Sequence, residues 1–560
     1  MTIRKNLFLC IHFLILLWLL TSLVSITSVN SSLEPINTFM KAGYGYSFSG
    51  EGPFNFAGLH VYGVGDINND SFDDFIIGAS QYGGSPTNSG YGKAYLLYGR
   101  PTSQWTDEHL GETDVSFIGE ALDDTLGRWI AGLGDINGDN FDDFAISAVG
   151  HGNWSGKTYV FFGGSTNSWG DETPITQANA SFIGQTENDH SGHGIYGVGD
   201  VNNDGFNDIM ISGEWNDEGG TDAGQVYLIF GRPTNQWTKD AQLPQGVNAS
   251  FIGNTTIQWL GFDAAGIGDI NNDGYDDLAI GGMKNTTTLT RQVFIVLGRQ
   301  TSQWQMDQPI SEANASLSFE EWEASASNDW ISGVDDVNGD GYDDFLIGTK
   351  LDDTGGMDAG AAHLYFGGSK GHFSRANVSF IGDIPGNYAG FAVAGAGDVN
   401  NDGFHDLLIG GVNVTNSIAV WGGTNEGRVY LFLGRPTNQW QTSYSLSTAN
   451  YSFEGENPGD SFGSHVAGVG DVNNDGFSDI IMSAVHCALP NDGPIAGKTY
   501  LVLGNTTLAP PITKTTITTT TIATSTTTIP ISSGTAADFF LLVPVVSILA
   551  LIHRKRRKNS

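Results

Sequence analysis

Apolar residues in this chain come in short runs, and helical periodicity is absent from its repeats. Runs of six or seven residues, such as Asp143–Ala148 (DFAISA) and Lys157–Gly163 (KTYVFFG), are bounded by Gly, Asn, Asp or Pro, the pattern of half-buried and fully buried β-strands. One unit holds four such runs in order: Trp129–Gly134, Asp143–Ala148, Lys157–Gly163 and Ala180–Gln185. The second and third recur as DFIIGA and KAYLLYG, DIMISG and QVYLIFG, DLAIGG and QVFIVLG, DFLIGT and AAHLYFG, DLLIGG and RVYLFLG, and DIIMSA and KTYLVLG. Asp66 and Asp471 stand six units apart, a period of about 67 residues, too short for an ordinary independent domain and long enough for four short strands.

The first run of each unit is rich in Gly, Ala and Val, as suits the crowded centre of a radial assembly. The seventh unit stops at its third run, Lys498–Gly504, and the missing fourth is at the other end of the chain, where Tyr46–Glu51 (YSFSGE) resembles Tyr451–Glu456 (YSFEGE). The expectation is an all-β fold over residues 39–506: a seven-bladed β-propeller of four-stranded antiparallel blades whose ring is closed by the N-terminal strand.

Between the first and second strands of every unit the sequence reads D-x-N-x-D-x-x-x-D. Positions 1, 3, 5 and 9 are Asp66, Asn68, Asp70 and Asp74; Asp135, Asn137, Asp139 and Asp143; Asp200, Asn202, Asp204 and Asp208; and Asp269, Asn271, Asp273 and Asp277 in the first four units. In the last three they are Asp336, Asn338, Asp340 and Asp344; Asp398, Asn400, Asp402 and Asp406; and Asp471, Asn473, Asp475 and Asp479. Three carboxylates and an amide oxygen at alternate positions of a tight loop suit one hard cation, and oxygen-only coordination suits Ca²⁺ better than zinc or copper. The position 7 residues Phe72, Phe141, Phe206, Tyr275, Tyr342, Phe404 and Phe477 would each add a backbone carbonyl. Position 6 is Gly in five units, Ser71 in the first and Asn140 in the second, as a sharp turn requires. Up to seven Ca²⁺ ions are expected. A turn alone would not need acids at fixed places seven times.

Charge agrees with an external, cation-loving surface. The chain carries 61 acidic and 24 basic residues, a net charge of −37, which speaks against a nucleic-acid partner and for relief of self-repulsion by calcium. Residues 1–28 read as a secretory signal, with Arg4 and Lys5 ahead of an apolar run from Leu7 to Leu20; an uncleaved anchor is the alternative. Cys10 lies in that run, leaving Cys487 without an intrachain partner. Asn-x-Ser/Thr triplets suggest N-glycosylation, and those at Asn179, Asn248, Asn314, Asn377 and Asn450 fall at one point of five units. Residues 507–535 are a Thr-rich stalk, 536–553 a short apolar segment that either spans a membrane or serves as a sorting signal, and 554–560 a basic cytoplasmic tail. Either way the repeats are tethered outside the cell.

These features resemble the FG-GAP repeats of the integrin alpha-subunit propeller and its bacterial and archaeal relatives. The resemblance covers roughly residues 39–506 and rests on the FIG segments at Phe117, Phe182, Phe251 and Phe380, the seven loops and the strand after each. It implies a seven-bladed propeller with Ca²⁺ in the hairpin loops between the first two strands of blades. No inserted domain interrupts the blades, so an integrin-type heterodimer is not implied.

Alternation of strand direction puts the Asp loops on one face with the recurring Gly-Arg-Pro-Thr-x-Gln-Trp connection between third and fourth strands. Trp105, Trp169, Trp237, Trp304 and Trp440 belong to those connections and read as packing residues. Trp129, Trp154, Trp215, Trp259, Trp322, Trp330 and Trp421 fall in or beside variable loops of the other face, where aromatic platforms with neighbouring acids would bind a glycan or a protein loop. Catalysis finds little support: there is no H-E-x-x-H, Gly367–Gly371 lacks the strand-to-helix turn of a nucleophile elbow, and His190 and His193 read as a solvated pair. The expected function is non-catalytic adhesion or recognition by a monomeric, surface-anchored ectodomain. A calcium-dependent polysaccharide lyase or hydrolase, and a structural surface-layer protein, are the alternatives.

Overall fold

The computed structural model describes residues 33–508 apart from 86–88, 166–168, 286–289, 321–330, 370–372, 374, 413–425 and 490–492. The signal-like segment, the stalk, the short apolar segment and the basic tail, together with Trp322, Trp330 and Trp421, therefore lie outside the described residues.

The strands gather into seven sheets, each built outward in chain order. In the first unit β3 (His60–Gly65), β4 (Asp74–Ala79), β5 (Lys93–Leu97) and β7 (Val115–Ile118) pair antiparallel in succession. The innermost strands are small because they meet at the axis. A methyl group on Gly132 would stand 2.5 Å from the carbonyl oxygen of Gly63, and equivalent glycines, from Gly63 of the first unit to Gly468 of the last, are pressed against the backbone of the preceding blade, at 2.8 Å in both of those cases. Interblade space farther out is filled by aromatics, as where Phe117 of the first blade packs on Phe144 and Phe161 of the second at 5.8 and 4.7 Å.

The ring closes as the repeat arithmetic requires. β2 (Gly45–Ser49) pairs antiparallel with Lys498–Val502 and supplies the outer strand of the seventh blade. Beyond the expected four strands, six of the seven sheets carry, among the described residues, a fifth of two or three residues paired parallel with the outer strand. It comes from the following blade: β6 (Glu108–His109) of the first unit pairs with β2, and Thr173–Pro174 of the second pairs with β7. A propeller blade otherwise exposes the unpaired groups of its last strand, and the neighbouring connection covers them. The N-terminus supplies this element for the sixth blade, where β1 (Leu33–Pro35) pairs parallel with Tyr451–Glu454. A short helix, α1 (Ile36–Lys41), then carries the chain to β2.

Candidate metal centre

Each Asp loop is wound around its own acids. Asp66 accepts the backbone N–H of Asp70 at 3.0 Å on Oδ1 and of Ser71 at 2.7 Å on Oδ2, while Asp70 Oδ1 accepts from Phe72 at 3.1 Å. The same bonds recur in the other loops, for example from Asp204, Gly205 and Phe206 in the third. Position 2, always Ile or Val, is fully buried in all seven loops and pins each to the core. Sequence inspection passed over it, although its invariance to Ile67, Ile136, Val201, Ile270, Val337, Val399 and Val472 was a signal.

The position 9 carboxylates are fully buried. Oδ1 of Asp74 accepts the N–H of Gly99 at 2.7 Å, and every other loop repeats this with the glycine after its third strand, as far as Gly504 on Asp479 at 2.7 Å. Oδ2 takes the position 2 amide, Ile136 on Asp143 at 3.1 Å, and Asn137 Nδ2 donates to the same oxygen at 3.0 Å. Burial pushes Asp74, Asp143, Asp208, Asp344 and Asp406 up to about 8 and Asp277 to about 7, against the backbone bonds and reinforced by the acid of position 5 and, except at Asp344, that of position 1; Asp479 is raised well above its usual range for the same reason. Among the described residues no Lys or Arg pairs with these acids. A bound cation would supply a counter-charge for them.

The donor set fits a hard cation. Oδ1 of Asn68, Asn400 and Asn473 is buried and accepts no hydrogen bond, whereas Oδ1 of Asn137, Asn202 and Asn338 accepts from Thr234, Thr301 and Thr437 of the following blade at 3.2, 3.3 and 2.8 Å. Asp 1, Asn 3, Asp 5 and Asp 9 would hold the ion in each loop, and the ion would supply rigidity and neutralise the carboxylates. Among the described residues, however, no three acidic, His or Cys side chains already converge on one point, because positions 1 and 5 are turned toward their own backbone amides.

The recurring connection explains itself beside these loops. Its Arg stacks on its Trp, Arg100 on Trp105 at 4.1 Å and Arg299 on Trp304 at 4.3 Å. The Arg amide reaches the preceding loop, Arg232 N donating to Ile136 O at 2.9 Å.

Comparison with known proteins agrees with this geometry. An FG-GAP repeat model matches residues 63–97 and 197–229, and an FG-GAP-like repeat model matches 336–409. The chain carries FG-GAP repeats at these residues, on a seven-bladed propeller. It is 28% identical to integrin alpha-5 of Xenopus laevis over 46% of this chain and 21% of that protein. Against integrin alpha-IIb of Mus musculus it is 37% identical over 22% of this chain and 11% of that protein. It is also 24% identical to the phosphatidylinositol-glycan-specific phospholipase D of Bos taurus, over 72% of this chain and 50% of the enzyme. The chain thus spans half or less of the length of these curated relatives.

On the other face of the propeller the aromatic residues divide. Trp154 and Trp215 are 37% and 40% exposed and flank His190, with ring centroids 5.2 and 3.9 Å away. Trp259 is half-buried with φ of 47°. Trp129 is not on this surface: it is 1% exposed, packs between His60 and His193 and borders an axial cavity of about 270 Å³. Its place on an innermost strand, where neighbouring blades crowd, is the physical reason. The histidine pair is likewise not solvated, since His193 is buried with Nδ1 3.3 Å from the buried carboxylate of Glu214.

The five recurrent asparagines have a structural reason to recur. Oδ1 of Asn179, Asn248, Asn314, Asn377 and Asn450 accepts the backbone N–H of Phe162, Phe230, Leu297, Phe366 and Leu433, between 2.9 and 3.0 Å, just beyond the third strand. The serine two places on is held as well, Ser181 and Ser250 bonding Asp240 and Asp307 of the next blade at 3.0 and 2.9 Å. The spacing that reads as a glycosylation triplet is thus also one that this fold uses. Cys487 is buried and unpaired.

Proposed function

We propose that this propeller is a calcium-stabilised recognition module displayed outside the cell, binding a glycan or protein ligand without transforming it. The observation that carries the reading is the division of labour between faces. The Asp loops occupy one face as a uniform ring, while most of the exposed large apolar side chains among the described residues, Tyr91, Leu122, Trp154, Trp215 and Met357, lie in the variable loops of the other, against Tyr44 and Met306 at the Asp-loop end. Flat aromatic surface beside acids suits sugar rings and protein loops alike. The similarity to integrin alpha chains supports recognition, and the signal-like and apolar end segments support display at a membrane. Calcium affinities of about 10⁻⁴ to 10⁻³ M suit an external module.

The similarity to a phospholipase D keeps an enzymatic reading in view, and one experiment separates the two. The protein, incubated in calcium with surface polysaccharides and extracellular proteins, should retain a ligand whose length does not change, and Trp215→Ala together with Trp154→Ala should weaken retention at least tenfold without moving the melting temperature. Shortening of the retained polymer would make the protein an enzyme; assembly into sheets with no retained ligand would make it a surface-layer component.

A further inference from the structure

We propose that the eighth residue of each Asp loop is a positioning residue for cation binding in the loop of the preceding blade, so that neighbouring sites fill cooperatively around the ring. The inference rests on the calcium reading above. Position 8 is Asp73, Asp142, Asn207, Asp276, Asp343, His405 and Ser478 in chain order, and its side chain leaves its own loop. Oδ2 of Asp142, Asp276 and Asp343 accepts the backbone N–H of Asp66, Asp200 and Asp269, the first residues of the preceding loops, at 3.0, 2.7 and 2.8 Å. Asp73 does the same for Asp471 at 2.7 Å and carries the chain of contacts across the ring closure. The backbone answers in the other direction, with the amides of Asp73, Asn207, Asp276 and Ser478 donating to the carbonyls of Asp471, Asp135, Asp200 and Asp398.

The pocket that receives this side chain is built for it. The residue before position 1 is Gly in six loops, each at positive φ: Gly65, Gly134, Gly199, Gly268, Gly397 and Gly470. A methyl group there would stand 2.0 Å from Asp276 Oδ2 at Gly199 and 2.2 Å from Asp142 Oδ2 at Gly65. The fifth loop is the exception and argues most strongly. It replaces the glycine by Asp335, and the position 8 residue that meets it is His405, with Nδ1 2.8 Å from Asp335 Oδ2. A changed pocket is matched by a changed partner, so the contact itself is what the repeat retains.

The consequence is mechanical. Position 1 would grip the cation with its carboxylate while position 8 of the next blade grips its amide. Position 8 in turn adjoins the position 9 ligand of its own loop. Ordering one loop therefore removes part of the ordering cost of the next, which is positive coupling. Repulsion between neighbouring ions opposes it but is screened over about 8 Å at physiological ionic strength.

The test is equilibrium dialysis of the full protein with ⁴⁵Ca²⁺. Asp273→Ala disables the fourth loop without touching either position 8 side-chain contact, Asp276 on Asp200 or Asp343 on Asp269. It should lose one ion at saturation and weaken two others by about fivefold, the lower range of ordinary coupling between sites. Adding Asp276→Ala should free the third loop from that influence, whereas Asp276→Asn, which keeps an oxygen to accept the Asp200 amide, should behave as the parent. Melting in saturating calcium verifies that each variant is folded. If Asp273→Ala removes one ion and leaves the rest of the isotherm unchanged, or if Asn at 276 behaves as Ala does, the coupling is overturned. Absence of any bound calcium in the parent protein would instead overturn the cation reading on which it rests.

Discussion

At the scale of single residues, acids that look alike in sequence do different work. Asp139 is exposed and bonds only its own loop, whereas Asp143 is fully buried and receives the amides of Gly163 and Ile136 and the side chain of Asn137. Removing Asp143 leaves buried donors unpaired, at about 1–3 kcal/mol each, whether or not a cation is bound. Asp143→Ala should therefore lower the unfolding free energy by about 3 kcal/mol or more in both calcium and chelator. Asp139→Ala should cost stability in calcium and almost none in chelator. Guanidinium titrations of the two variants check this, and equal losses in chelator would show that position 5 is structural. The spacing of the acids was legible in the sequence; their burial was not, because D-x-N-x-D-x-x-x-D gives no sign of which carboxylate faces the interior. Position 8 escaped notice for a related reason: Asp, Asn, His and Ser share no chemistry until the neighbouring blade is in view.

At the scale of elements, the strands and their order followed from periodicity alone, since the runs DFAISA and KTYVFFG fold as the second and third strands of their blade. The N-terminal closing strand was legible because Tyr46–Glu51 copies a segment of the sixth unit. The short parallel strands were not. Two residues such as Glu108–His109 have no period to read, and their partner lies in another repeat. They nevertheless make a separate prediction. β1 and α1 cover the outer edge of the sixth blade and bury Ile36, while β2 completes the seventh. Deleting residues 33–41 should lower the melting temperature by several degrees and leave the ring closed. Deleting 43–51 as well should lower it further and broaden the transition, because an open ring exposes a full strand edge. Scanning calorimetry of the two truncations separates the contributions; equal melts would mean that only one of the elements matters.

At the scale of the whole molecule, the acids form a field as well as a set of sites. Asp142 feels Asp73, Asp66 and Asp135, and Asp343 feels Asp335, Asp276 and Asp269, with burial as the larger cause in both and all of them raising the carboxyl above its ordinary range. A chain of net charge −37 with such a ring on one face would be stabilised by any salt through screening, so a calcium effect on melting does not by itself establish sites. The two causes differ in concentration. Calcium at about 1 mM barely alters an ionic strength of about 0.15 M, where the Debye length is already about 8 Å, yet it would fill external-type loops appreciably. Calcium at that level should therefore raise the melting temperature by several degrees over chelator in buffer held at physiological salt, while the same increment of NaCl should leave it unchanged. Magnesium should do less, because it demands near-ideal octahedral geometry and gives up water reluctantly. Matched shifts with calcium and with added NaCl would reduce the loops to acidic turns, and the stability of the ring would then rest on its packing and interblade hydrogen bonds alone.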